Sequence, residues 1–166
     1  GSHNWNTFQV WQLDLSPGVD YDSYLSFLKN HNHNYIRLWV ADSAWNSSDG
    51  NFIEPQPFQR TGPGFAADGR LKLDLTKLNQ AYFDQIRRQV ISAGNNGIYV
   101  GVMLFNVWGA GRYNPYSVAG WEGSPFHDGN NINGIRADTD GDGKGLEVHS
   151  MDDPAIIAIQ EAYVRK

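Results

Sequence analysis

The chain has 166 residues, 40% of them hydrophobic and 19% charged, and these values predict one soluble domain spanning residues 1–166. Its formal net charge of -5 argues against a nucleic-acid partner, because phosphate binding requires a basic surface. The absence of cysteine excludes disulfides, thiol catalysis and cysteine zinc sites, and no apolar run reaches the roughly 20 residues that span a bilayer.

The first half of the chain predicts a helix followed by a strand. Asp20 is a suitable N-cap for a helix that runs to about Lys29. Its apolar stripe has helical spacing and consists of Tyr21, Tyr24, Leu25 and Leu28. The aromatic and β-branched run 35–40 then predicts a strand, which the charge of Arg37 interrupts.

The second half predicts a helix, a strand and a further helix. The helix spans about 80–93 and turns an inward stripe of Phe83, Ile86 and Val90 to the core, before the glycines of 94–97 end it. The nearly unbroken apolar run 98–105 is typical of a parallel strand buried on both faces. Pro154, behind Asp153, begins the last helix, whose apolar side carries Ile156, Ile159 and Tyr163.

This alternation predicts a parallel α/β sheet with long loops at one edge. The strand-to-helix segments 41–78 and 106–153 far exceed the usual length of about 2 to 6 residues. They lie at the carboxyl ends of the strands, where ligands bind in such sheets. Aromatic rings in these loops favour sugar stacking, with Trp45, Trp108 and Trp121 preferred and the others expected to anchor the loops: Phe52, Phe58, Phe65, Tyr113, Tyr116 and Phe126.

Several motifs resemble those of cellulase-like glycoside hydrolases that have a clan-A (β/α)8 barrel, and the resemblance covers nearly the whole chain. The motifs are GSHNWNTFQ, YDSYLSFLKNHNHNYIRLW, RTGPGFAADGRLKLDLTKLNQAYFDQIRRQV, NNGIYVGVMLF, GSPFHDGNNINGI and DTDGDGKGLEVHSMDDPAIIAIQEAYVRK. The resemblance implies a partial (β/α)8 TIM barrel, a half-barrel of about three βα units truncated before the fourth strand. Residues 1–6 would then follow the first barrel strand, which leaves open whether Gly1-Ser2-His3 is native or a tag remnant.

The same resemblance implies that this chain lacks the catalytic pair. The acid/base Glu of the family ends the fourth strand and the nucleophile Glu comes from the seventh, so both would lie beyond Lys166. None of the four glutamates here, which are Glu54, Glu122, Glu147 and Glu161, is predicted at a strand end, where a catalytic carboxyl group is expected. We therefore predict no catalytic residue in the chain, and whether it is an enzyme by itself stays open.

Supporting and sugar-binding residues do transfer by resemblance. Arg37 looks like the arginine that hydrogen-bonds the nucleophilic carboxylate, and the alternative is an ion pair with a loop aspartate. Sugar-binding candidates are His3, Trp5 and Asn6 at the mouth of the first strand, and His127, Asn130 and Asn131 in the loop after the third. Bracing of loop backbone is the alternative for each of them.

An acidic loop predicts a Ca²⁺ site. Asp138, Asp140 and Asp142 alternate ahead of glycines, and Glu147 is available to complete a non-standard cage. His149 stands where an EF-hand has glutamate, so the loop is not an EF-hand, and an Asp/Gly turn without an ion remains the alternative. No cofactor is required for the chemistry, and the sequence lacks the spacing of a phosphate loop.

These observations predict an inactive glycoside hydrolase fragment that binds carbohydrate. Exposed strand edges predict a homo-oligomer. One rival is a non-catalytic carbohydrate-binding or interaction module, and another is a small complete open-sheet α/β protein. The compartment is not decided by the absence of cysteine, and an extracellular or periplasmic location is favoured.

Overall fold

The computed structural model describes most of the chain, as two compact units. One unit comprises 1–41 with 81–105, and the other 42–80 with 106–166. The described residues are 2–6, 20–40, 45–46, 51–52, 54–105 and 121–166; at 2–6, 39, 45–46 and 51–52 the description covers the backbone. In these ranges, no helix is long and apolar enough to cross a membrane.

The fold is mixed α/β, as the sequence predicts. The elements in chain order are β1 (Ser2–Asn6), α1 (Tyr21–Asn30), β2 (Tyr35–Trp39), β3 (Trp45–Asn46), β4 (Asn51–Phe52), β5 (Phe58–Phe65), β6 (Leu71–Leu78), α2 (Gln80–Asn95), β7 (Tyr99–Met103), a 3-10 helix (Leu146–His149) and α3 (Pro154–Arg165).

The first unit contains a three-stranded parallel sheet of order β1-β2-β7. The three strands lie side by side in the order in which they occur along the chain. Helix α1 is in the connection from β1 to β2, and α2 is in the connection from β2 to β7. The expectation that residues 1–6 follow the first strand is wrong, because Ser2–Asn6 is itself a strand that pairs with β2 along its whole length.

Helix α1 begins as its sequence predicts. The side chain of Asp20 accepts a hydrogen bond from the Ser23 amide at 3.1 Å, which satisfies a free amide of the first turn and lowers the pKa of Asp20. Tyr24, Leu25 and Leu28 of the predicted stripe are buried. They form one core with Ile36 of β2 and Ala93 of α2.

Both helices therefore cover the same face of the parallel sheet. The hydroxyl of Tyr21 donates to the Gln89 carbonyl at 3.2 Å, and the hydroxyl of Ser92 to Asp22 at 2.8 Å, so α1 and α2 also contact each other. The prediction that 98–105 is buried on both faces is wrong, since Tyr99 is 74% exposed. Its strand has helices on one side only among the described residues of this unit.

The buried stripe of α2 differs from the predicted one. Tyr82, Gln89 and Ala93 are its buried residues, whereas Val90 is exposed. The predicted inward residues Phe83 and Ile86 are half-buried. The stripe starts one residue earlier than expected and includes Gln89, which is 7% exposed.

The second unit contains a long hairpin that the sequence analysis treated as loop. Strands β5 and β6 pair antiparallel, and β3 and β4 form a short antiparallel pair before them. The segment 41–78 is thus largely a β-structured insertion. The core of this unit consists of Phe58, Leu73, Leu75, Trp121, Phe126, Ala137, Val148 and Ile156.

Helix α3 matches its prediction and closes this core. Asp153 caps it, accepting a hydrogen bond from the Ala155 amide at 2.8 Å, and Pro154 occupies the first turn. Ile156 and Tyr163 are buried, and Ile159 packs against the core from a partly buried position. The side-chain amide of Gln160 donates to the Val148 carbonyl at 2.8 Å and so connects the helix to the preceding 3-10 helix.

Candidate functional site

Opposite α1 and α2, the parallel sheet has a face that no helix covers among the described residues of the first unit; this helix-free face carries Arg37 at its middle. Arg37 is half-buried in the central strand, in register with Asn4 of β1 and Gly101 of β7. A methyl group built at Gly101 would overlap the hydroxyl of Tyr35, so the missing side chain lets this hydroxyl reach across to the neighbouring strand. The face thus presents an arginine and a phenol close together.

Strand register separates the three N-terminal candidates. His3 and Trp5 are in register with Ile36 and Leu38, which are fully buried. Asn6 is in register with Trp39 at the carboxyl end of β2, the edge where parallel sheets bind ligands. The three candidates therefore do not share one face, because successive strand positions alternate between the two faces.

The preferred tryptophans have different outcomes. Trp121 is 4% exposed and belongs to the core of the second unit. Its ring lies against Gly145, whose φ of 58° is in the left-handed region and where a side chain would overlap the indole. Trp45 pairs with Phe52 in the short β3–β4 ladder, and Trp108 lies outside the described residues.

Asn131 braces the loop that follows Trp121. Its Nδ2 atom lies within 3.1 Å of the carbonyls of Pro125, His127 and Ile135, and its Oδ1 atom accepts from the amides of Asn133 and Ile135. The side chain is 2% exposed. Loop bracing, the alternative left open by the sequence, describes this residue in the structure.

Asn130 likewise braces the contact between this loop and the β5–β6 hairpin. Its Nδ2 donates to the Glu122 and Ser124 carbonyls, and its Oδ1 accepts from the Ala67 amide at 3.0 Å. Backbone bonds of Leu73 to Asn130 and Ile132 extend the loop alongside β6. Both asparagines are thus buried and fully engaged within the protein.

His127 is the more accessible of the predicted sugar contacts in this loop. Its side chain is 32% exposed, and its Nδ1 lies 3.3 Å from the Asp128 carboxylate and 3.0 Å from the Gly129 amide. The ring centroid is 5.3 Å from that of Trp121. One imidazole edge is therefore occupied by the loop, while the partial exposure leaves the ring accessible to a ligand.

Asp74 is a buried carboxylate that the sequence analysis did not single out. It is 5% exposed and accepts from the Thr76 hydroxyl at 2.6 Å and from Asn133 Nδ2 at 3.2 Å. The Thr76 hydrogen bond, more than the others, lowers its pKa to about 2. Asp74 stays ionised and pairs with Lys77 at 3.3 Å, so its arrangement suits a structural role rather than proton transfer.

The acidic loop gathers three carboxylates that could hold a metal ion. One oxygen each of Asp138, Asp140 and Glu147 lies within 4.8 Å of the other two. Asp142 is outside this group, and its carboxylate contacts the Lys144 ammonium at 2.9 Å. The third member is Glu147, in the 3-10 helix that begins at Leu146; the sequence analysis offered this residue to complete a non-standard cage.

Each of the four glutamates has its own environment in the described part of the chain. Glu54 pairs with Arg70 at the surface, Glu122 is exposed, and Glu161 lies 3.7 Å from Arg165 on α3. Glu147 belongs to the acidic group. None of the four is on or next to a strand of the parallel sheet.

Comparisons with known proteins add no relatives to this description. No family model, no curated protein and no solved structure matched the chain.

Proposed function

We propose that the chain is a partial (β/α)8 barrel from a glycoside hydrolase that acts on a polysaccharide or oligosaccharide. In this proposal it carries sugar-binding loops but lacks the acid/base and nucleophile glutamates, so it is inactive alone. The resemblance of its motifs to cellulase-like enzymes suggests the family, and the parallel sheet, whose described helices in the first unit cover one face only, is the structural observation that agrees with it.

Two parallel architectures are compatible with helices on one face of three strands. An open doubly wound sheet has helices on both faces and reverses its strand order at a switch point. A barrel keeps chain order and places its helices outside, so that the other face lines the interior. The order β1-β2-β7, with the helices α1 and α2 in contact on one face, agrees with a barrel segment and equally with one half of a doubly wound sheet, so the choice of the barrel rests on the resemblance of the motifs.

The helix-free face would then be the barrel interior. Arg37 and Tyr35 share this face, and Asn6 is in register with the last residue of β2 at the sugar-binding edge. Within the proposal, Arg37 supports a carboxylate by charge-assisted hydrogen bonds. None of the four glutamates belongs to a strand of this sheet, which agrees with a chain that binds sugar without cleaving it.

Turnover and binding assays on the purified chain test the proposal together. We expect no hydrolysis of 4-nitrophenyl glycosides, because two opposed carboxyl groups are needed, and heat of binding on titration with cello-, xylo- or manno-oligosaccharides. Hydrolysis would contradict both the fragment and the alternative, which is a non-catalytic carbohydrate-binding or interaction module. Absence of binding to all three oligosaccharide series would contradict sugar recognition itself and favour an unrelated α/β protein.

We also propose that the chain self-associates through the edges of its parallel sheet. Within the described residues, β1 and β7 each pair on one side only, which leaves backbone donors and acceptors for another strand. Sedimentation velocity should therefore show dimers or larger species that grow with concentration. A single monomeric boundary across the concentration range would contradict this prediction.

We propose Ca²⁺ as the ion for the acidic group, as a second function. Oxygen ligands at flexible positions suit Ca²⁺ better than transition metals. Among the described residues, the Oδ1 atom of Asp138 is buried and has no hydrogen-bond partner, although its Oδ2 accepts from the Gly143 amide at 3.2 Å. A buried carboxylate oxygen without a donor is costly, and a cation would satisfy it.

A further inference from the structure

We infer that Phe65, on the hairpin of the second unit, is a stacking platform for a sugar ring; this inference rests on the proposed carbohydrate binding. Four aromatic residues of the long connecting segments have described side chains: Phe58, Phe65, Trp121 and Phe126. Three of them are no more than 4% exposed and belong to the core, whereas Phe65 is 70% exposed. Only an exposed ring can stack on a ligand.

The hairpin holds this ring on a regular element. Phe65 is the last residue of β5 and is in register with Leu71 of β6, which is 44% exposed, so two large apolar side chains are exposed at one end of the ladder. Gly62 and Gly64 precede it with positive φ angles, and the Leu71 side chain lies beside Gly62.

The charges of the hairpin favour an uncharged ligand. Arg60 is paired with Asp68, and Arg70 with Glu54, so both hairpin arginines are neutralised within the unit. A phosphate or other polyanion would have to compete with these carboxylates. A pyranose ring needs an apolar surface for its C–H face and planar polar groups for its hydroxyls. The exposed Arg70–Glu54 pair belongs to the same hairpin region and supplies groups of this kind.

Affinity electrophoresis tests the inference on the whole chain, in gels that contain hydroxyethyl cellulose, xylan or glucomannan. We expect Phe65→Ala to weaken retention of the chain by about tenfold, the size of a lost ring-stacking contact, and Phe65→Trp to retain it. Phe27→Ala is the matched control, because Phe27 is a 51% exposed aromatic on α1 in the other unit. Equal melting temperatures of the variants would exclude a folding effect.

The outcomes separate this inference from the proposed function. Retention of the wild-type chain that Phe65→Ala leaves unchanged would overturn the platform and leave carbohydrate binding intact. Lack of retention of the wild-type chain in all three gels would overturn carbohydrate binding, and the platform with it. If Phe65→Ala changes sedimentation but not retention, the ring is a contact between copies of the chain and the inference is wrong.

Discussion

Replacement of Asn131 by alanine should destabilise the second unit by about 3 to 5 kcal/mol, a loss at the upper end for single substitutions. The substitution leaves the amides of Asn133 and Ile135 and the carbonyls of Pro125 and His127 without the partner they have now. Because the side chain is 2% exposed, water cannot replace it without opening the loop. Chemical denaturation, followed by circular dichroism, measures the loss.

Hydrogen exchange locates the effect of this substitution. Amides of 122–136 should lose protection in Asn131→Ala, whereas amides of α1 in the first unit should keep theirs. Asn95→Ala is a matched control, since Asn95 is exposed at the end of α2. Asn131→Asp should be nearly as destabilising as the alanine variant, because a carboxylate cannot donate to the three carbonyls. A loss of stability no larger than the ~1 kcal/mol of an average substitution would contradict the bracing role.

Local signals in the sequence were sufficient for the helices and for the parallel strands β2 and β7, but not for β1. A cap such as Asp20 or Asp153 and the helical spacing of apolar residues act within one or two turns, so they are readable without the fold. The shifted stripe of α2 shows the limit of this approach. Whether Tyr82 or Phe83 faces inward depends on partners that are distant in sequence.

The hairpin was missed although part of its signal is visible. Residues 71–75 alternate between leucine and polar residues, which is the strand pattern of a half-buried surface. The preceding strand contains Gly62, Pro63 and Gly64, and because these residues are typical of loops, the sequence did not indicate a strand there. Long connections between elements therefore deserve a search for antiparallel insertions before they are assigned as loops.

The burial of Trp121 could not be predicted from its neighbours in sequence. The ring packs against Gly145, which lies 24 residues later and makes room by having no side chain. Composition predicts only that an aromatic residue in a glycine-rich loop is either a ligand contact or an anchor. The sequence came closer for the acidic group, since Asp138, Asp140 and the additional candidate Glu147 form it, whereas the contact of Asp142 with Lys144 was not foreseen.

If the acidic group binds Ca²⁺, the ion should stabilise the second unit by about 2.7 kcal/mol at a concentration one hundred times its Kd. The three carboxylates repel one another without a cation, and a divalent ion converts this repulsion into attraction. Melting temperature with and without EDTA measures the effect. Loss of Ca²⁺ stabilisation is expected for Glu147→Gln and for Asp138→Asn.

Two ligand sets, one completed by Glu147 and the other by Asp142, make opposite predictions for Asp142. Because its carboxylate already binds Lys144, Asp142→Asn should preserve the Ca²⁺ response that Glu147→Gln removes. In EDTA, the melting temperature of Glu147→Gln should lie slightly above that of wild type, because the substitution relieves repulsion within the acidic group. Asp142→Asn loses an ion pair, so its melting temperature should not exceed that of wild type. A Ca²⁺ response that depends on Asp142 and not on Glu147 would restore the alternating set that the sequence predicted, and a melting temperature indifferent to Ca²⁺ would contradict both sets.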